Sequence, residues 1–146
     1  IDKSEVSKAI LANKSNLISI VCVGETLEER NQGKAMSIVT AQLQGSIPKD
    51  MEPSNLIVAY EPVWAIGTGK TPTLNDIEEM HAHIRKIVLE MNVRTNKIRI
   101  LYGGSVKPNN AAEIFDLANV DGALVGGASL SANDFISIIQ AGSKEK

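Results

Sequence analysis

The chain has 146 residues, 43% of them hydrophobic, enough for one domain with a sizeable core. A net charge of -2 with both signs interspersed, and an aromatic content of 3%, give no case for nucleic acid or an anionic membrane surface as a partner. No apolar run approaches the roughly 20 residues of a membrane helix, and the amino terminus has no basic stretch followed by an apolar core, so a cytoplasmic location is expected.

In chain order, Asp2 to Asn13 sets Val6, Ala9, Ile10 and Asn13 on one face and reads as a short helix. Leu17 to Val23, apolar but for Ser19, reads as a buried strand, and Cys22 as a buried structural thiol rather than a nucleophile. As the one cysteine it excludes an internal disulfide and suits a reducing compartment. Glu25, just past this strand, reads as an acid bracing neighbouring loops; no partner histidine or metal-ligand spacing accompanies it as a second catalytic acid would require. Thr26 and Glu29 have capping-box spacing, and Ala35, Ile38, Val39 and Leu43 continue a helix to about Gly45. Gly45 to Asn55, with Pro48 and Pro53, is a loop.

Leu56 to Tyr60 (LIVAY) is a short apolar run rich in branched residues, the pattern of a strand buried on both faces. Glu61 therefore stands at the carboxyl end of a buried strand, where parallel α/β folds carry their active-site residues. Pro62 holds Glu61 extended and makes a stiff hinge, while Gly67 and Gly69 free the far side. Trp64, Ala65 and Ile66 are apolar where a solvated loop should be polar, so the segment reads as a lid. Gly69-Lys70-Thr71 imitates the end of a nucleotide-binding P-loop, but that motif needs a glycine five positions before Gly69, and Trp64 stands there.

Thr73 and Asp76 can cap a helix with the apolar stripe Leu74, Ile77, Met80, Ile84, Ile87, Val88 and Met91. His81 and His83, two apart on it, face different directions; this excludes an i, i+4 metal pair and places them at the surface or rim. Ile98 to Tyr102 is the next strand, ended by Gly103-Gly104-Ser105, and Pro108 opens a helix through Ala118. Gly122 to Val125 is the last strand, ended by Gly126-Gly127, and Ser131 caps a final helix before a charged tail from Ser143. Alternating strands and helices mean parallel strands with right-handed crossovers, and the units read as half of a β/α barrel with no second domain. Six of the 11 glycines (Gly67, Gly69, Gly103, Gly104, Gly126 and Gly127) fall just past strand ends. Exposed amides there favour an anion such as phosphate, with plain turns as the alternative.

Tyr60 to Thr71 (YEPVWAIGTGKT) resembles the catalytic strand and lid of the triosephosphate isomerase family. Val21 to Glu25 (VCVGE), Leu101 to Val106 (LYGGSV) and Asp121 to Leu130 (DGALVGGASL) resemble three further stretches of it, in order and at fitting distances. The resemblance implies an α/β fold, a partial (β/α)8 barrel. Residues 1–146 would be the carboxy-terminal half of one barrel domain, strands five to eight preceded by one helix. It implies interconversion of dihydroxyacetone phosphate and glyceraldehyde 3-phosphate, a step of glycolysis and gluconeogenesis. Glu61 would be the catalytic base, the amides of Gly67, Ser105, Gly126 and Gly127 would hold the substrate phosphate, and neither cofactor nor metal is expected.

The resemblance also implies a homodimeric full-length parent. The family's asparagine and lysine after the first strand, its histidine electrophile after the fourth and its dimer loop have no counterpart here. With Ile1 in place of an initiating methionine, a truncated product is expected, inactive alone, which self-associates or pairs with the missing half. Two other readings are a phosphate-binding half-barrel module of a different enzyme and an assembly fragment without activity. The first explains the glycines but not Glu61 followed by its hinge.

Overall fold

A computed structural model describes residues 3–48, 51, 53–66, 70–91 and 98–143. Strands β1 (Ser19–Val23), β2 (Leu56–Tyr60), β3 (Arg99–Tyr102) and β4 (Gly122–Ala123) form one parallel sheet in the order β1-β2-β3-β4. Helix α1 (Lys3–Lys14) precedes β1; α2 (Leu27–Asn31) and α3 (Ala35–Ser46) join β1 to β2; α4 (Leu74–Glu90) joins β2 to β3; α5 (Ala111–Phe115) joins β3 to β4; and α6 (Ala132–Gly142) follows β4. The register is unshifted: Val23 lies beside Tyr60, Tyr60 beside Tyr102 and Tyr102 beside Ala123. All four strands therefore end at one level, and the loops that follow them share one rim.

The core lies between the helices and one face of the sheet. Val23, Val58, Tyr60, Ile100 and Tyr102 pack there against Val39 and Leu43 of α3 and Ile77, Ile84 and Val88 of α4. Alternation along each strand turns the intervening residues to the other face, where Ile20 and Cys22 of β1 are exposed, Ile57 and Leu101 are half-buried and only Ala59 is buried. The run from Leu17 accordingly departs from its expected burial: Leu17, Ile18 and Ile20 are 59%, 54% and 48% exposed, and Cys22 is exposed rather than buried. β1 is an outer strand with one layer against it, whereas a continuous apolar run reads as a strand between two.

Local signals account for most of the element boundaries. The Thr26 and Thr73 hydroxyls accept from the backbone N–H three residues on, with Glu29 and Asp76 returning the bond, so both capping boxes form. Ser131 caps α6 by accepting from the Asp134 N–H. The long helix expected after Thr26 is instead two, because Gly33 takes φ 70° and breaks it. The helix expected from Pro108 starts only at Ala111. Asn110 first ties the turn, accepting from the Lys107 N–H at 2.8 Å and donating to the Ser105 carbonyl at 3.1 Å. It also ends at Phe115 rather than Ala118, and β4 is two residues long rather than four.

His81 was expected at the surface or rim and is fully buried. Four residues after Ile77 and three before Ile84, it falls within the apolar stripe of α4 and faces the rings of Tyr60 and Tyr102 at centroid distances of 5.8 and 6.3 Å. Its Nδ1 donates to the Asn119 carbonyl at 3.1 Å. Burial depresses its pKa to about 4. His83 is half-buried, with Nε2 at 2.8 Å from Thr40 Oγ1 and 3.1 Å from the Met36 carbonyl of α3.

Candidate active site

Glu61 follows β2 directly and is held by main chain on both sides. Its N–H donates to the Val23 carbonyl at 2.8 Å, and the Gly103 N–H donates to the Tyr60 carbonyl at 2.8 Å, which carries the ladder one step past the strand ends. The neighbours at this level are both glycines, for a steric reason. A Cβ on Gly24 would stand 1.7 Å from the Glu61 carbonyl oxygen, and one on Gly103 would stand 2.5 Å from Glu61 Cγ. The acid is thus wedged between two bare backbones. Cys22 lies on the uncovered face near the Glu61 carboxylate; partial burial of the sulfur, then the charge of Glu61, hold that thiol above its ordinary range.

A second carboxylate, Glu25, is fully buried and braces the loops, as its place in the sequence suggests. Its Oε1 accepts from Trp64 Nε1 at 2.8 Å, from Arg30 at 3.1 Å and from Tyr60 Oη at 3.2 Å. Burial, then the adjacent Glu25, drives the Tyr60 phenol far above its usual value. Arg30 also pairs with Asp76 and stacks on the Trp64 ring, 4.9 Å from its centroid. Partial burial opposes ionisation of Asp76, but bonds from Thr73 and the charge of Arg30 outweigh it and hold the carboxyl below its ordinary range. These contacts fix the start of the segment after Glu61, a single 3-10 turn at Val63–Ala65. Tyr60 carries a signal that points to this network: a tyrosine in an aliphatic strand needs a partner for its hydroxyl, and Glu25 lies just past the end of the neighbouring strand.

A cavity of about 740 Å³ opens past the strand ends, walled by Ala65 and Ile66 and by Gly103, Ser105, Gly126 and Gly127; Glu61 does not line it but touches its wall at Gly103. Gly103 belongs both to this wall and to the packing of Glu61. Of the expected phosphate ligands, Ser105, Gly126 and Gly127 meet here and are exposed; Gly67 lies outside the described residues. The glycines of the rim have two different causes. A Cβ on Gly104 would stand 2.1 Å from Tyr102 Oη, so Gly104, like Gly24 and Gly103, is small because something packs on it. A Cβ on Gly126 or Gly127 would meet nothing within 4 Å. Among the described rim glycines, the expectation that ligand approach explains them therefore narrows to the pair after β4; Gly67 and Gly69 lie outside the described residues. Gly127 opens a 3-10 turn (Gly127–Leu130), whose first amides have no partner within the turn.

Four parallel β/α units, with their loops gathered at the carboxyl ends of the strands, define a portion of a β/α-barrel protein. A sequence model of one such family, triosephosphate isomerase, matches residues 2–142. The chain belongs to the triosephosphate isomerase family. It is 51% identical to the triosephosphate isomerase of Mesorhizobium japonicum, over 96% of this chain and 55% of that protein. It is 57% identical to that of Jannaschia sp., over 94% of this chain and 55% of the relative. The crystal structure of triosephosphate isomerase from Bartonella henselae superposes with a TM-score of 0.88 at 44% identity, covering 96% of this chain and 57% of that one. The chain spans about half the length of the relatives it matches.

Proposed function

We propose that this chain carries the base and the phosphate cradle of a triosephosphate isomerase. Glu61 takes a proton from the carbon beside the carbonyl of dihydroxyacetone phosphate and returns it to the neighbouring carbon of the enediolate, giving glyceraldehyde 3-phosphate. The reaction moves one proton between adjacent carbons and balances without a redox partner. Amides of Gly67, Ser105, Gly126 and Gly127 hold the phosphate, and the lid keeps water from the carboxylate and the intermediate. The observation that carries this reading is the position of Glu61, wedged between Gly24 and Gly103, with Gly103 also walling the cavity that Ser105, Gly126 and Gly127 line.

A carbon acid of this kind also needs an electrophile at the carbonyl oxygen. Both histidines of the chain are engaged on α4, away from Glu61: His81 with Asn119, and His83 with α3. General base catalysis alone is typically worth about 10²- to 10⁴-fold, against at least about 10⁶-fold for enzymes. The 146 residues are therefore inactive alone, and the electrophile comes from an amino-terminal half such as the relatives possess. The complete protein is a cytoplasmic homodimer on this reading.

A coupled assay of glyceraldehyde 3-phosphate isomerisation tests it, with the chain alone and then mixed with a separately produced amino-terminal half. Activity is expected only on mixing, and Glu61→Gln in the mixture should cost about 10²- to 10⁴-fold in kcat. Turnover near an enzyme's rate by the chain alone would refute the division of labour; an unaffected Glu61→Gln mixture would refute the base.

A further inference from the structure

Gln42 lies on α3 between the buried Val39 and Ser46 and next to the buried Leu43, so a well-packed helix carries its amide. That amide meets both backbone groups of one residue. The Gly24 N–H donates to Gln42 Oε1 at 2.8 Å, and Gln42 Nε2 donates to the Gly24 carbonyl at 2.9 Å. Only one orientation of the amide matches donor to acceptor at both contacts, so its oxygen and nitrogen are assigned by the network. Backbone groups of successive strand residues point to opposite sides. The Val23 carbonyl turns toward β2, where it receives the Glu61 N–H, so Gly24 turns outward, and Gln42 serves there as a neighbouring strand would.

The residue so clamped is the one on which Glu61 rests. With no side chain on Gly24 and a virtual Cβ only 1.7 Å from the Glu61 carbonyl oxygen, nothing between the two can absorb a displacement. We propose that Gln42 is a positioning residue: by gripping Gly24 it sets where the Glu61 main chain stands, and through it the approach of the carboxylate to substrate. The proposal rests on the reading of Glu61 as the base.

Gln42→Met keeps the length of the side chain and removes both bonds. Gln42→Glu keeps one acceptor, but when ionised it sets an oxygen against the Gly24 carbonyl; when protonated it regains a donor and can restore both bonds. The first readout is amide hydrogen exchange by NMR on the 146-residue chain. In Gln42→Met, protection should fall at Gly24 and also at Glu61, on the adjoining strand, with the amides of α4 unchanged. The second is kinetics after mixing with the amino-terminal half. There kcat should fall by about 10- to 10²-fold, the scale of a misplacement of about 1 Å, with KM within about twofold. The ratio of Gln42→Glu to unsubstituted kcat should rise as pH drops toward the carboxyl range near about 4, which a side chain that only stabilised the fold would not produce.

Loss of protection confined to Gly24, or an unchanged kcat in an active Gln42→Met mixture, overturns the proposal. If the unsubstituted mixture is inactive, the isomerase reading fails, and protection at Glu61 alone decides whether Gln42 positions that residue.

Discussion

The narrowest part of the molecule is the pair of bare backbones around Glu61. Gly24→Ala would set a methyl against a carbonyl oxygen that belongs to the sheet and cannot rotate away. We predict a loss of at least about 1–3 kcal/mol, the usual cost of overpacking, measured by urea unfolding; Gly127→Ala, at the first position of a 3-10 turn where a methyl meets open space, should lie within about 0.5 kcal/mol of the unsubstituted chain. Equal stabilities would show that the strand ends yield. The place of Glu61 was legible because a branched apolar run has a visible end and Pro62 follows it. The reason for its glycine neighbours was not. Gly24 and Gly103 lie 37 residues before and 42 after Glu61, so the contact exists only once the parallel register is formed.

Among the elements, α4 shows where pattern reading fails. Its capping box and most of its stripe were legible, but a polar residue type was taken to mean a surface position, and His81 at the right helical spacing is core. Its burial makes stability depend on pH with a definite sign. The folded histidine protonates only near pH 4, the unfolded one near 6.5. Between these values the unfolded chain gains a proton that the folded chain refuses, so stability falls as pH drops through this window and is insensitive to His81 above it. A shift of this size amounts to roughly 3 kcal/mol. Urea unfolding from pH 7.5 to pH 4 should show the decline, and His81→Gln should flatten it; an equal slope in both proteins would mean that another group titrates. Asp76 acts in the same direction at lower pH, since its stabilising charge is lost below the ordinary carboxylate range.

For the whole molecule, the parallel sheet was legible from the alternation of strand and helix patterns. The bare face was not legible from the run at Leu17, because a run records the surroundings in which a strand is meant to lie. Leu17, Ile18 and Ile20 stand exposed, and β1 and β4 are the edges of the sheet. Such surface favours association. Light scattering of the isolated chain should therefore show a mass that rises with concentration, and addition of an amino-terminal half should replace the larger species with one defined complex. A monodisperse monomer at all concentrations would refute this.

The order β1-β2-β3-β4 has one more consequence, for synthesis on the ribosome. Among the described strands, β2, β3 and β4 each pair with the strand made just before, so each finds its partner already translated. At about 5–20 residues per second, each β/α unit has seconds to settle before the next one leaves the exit tunnel. The growing edge is always the newest strand, and folding can follow translation step by step.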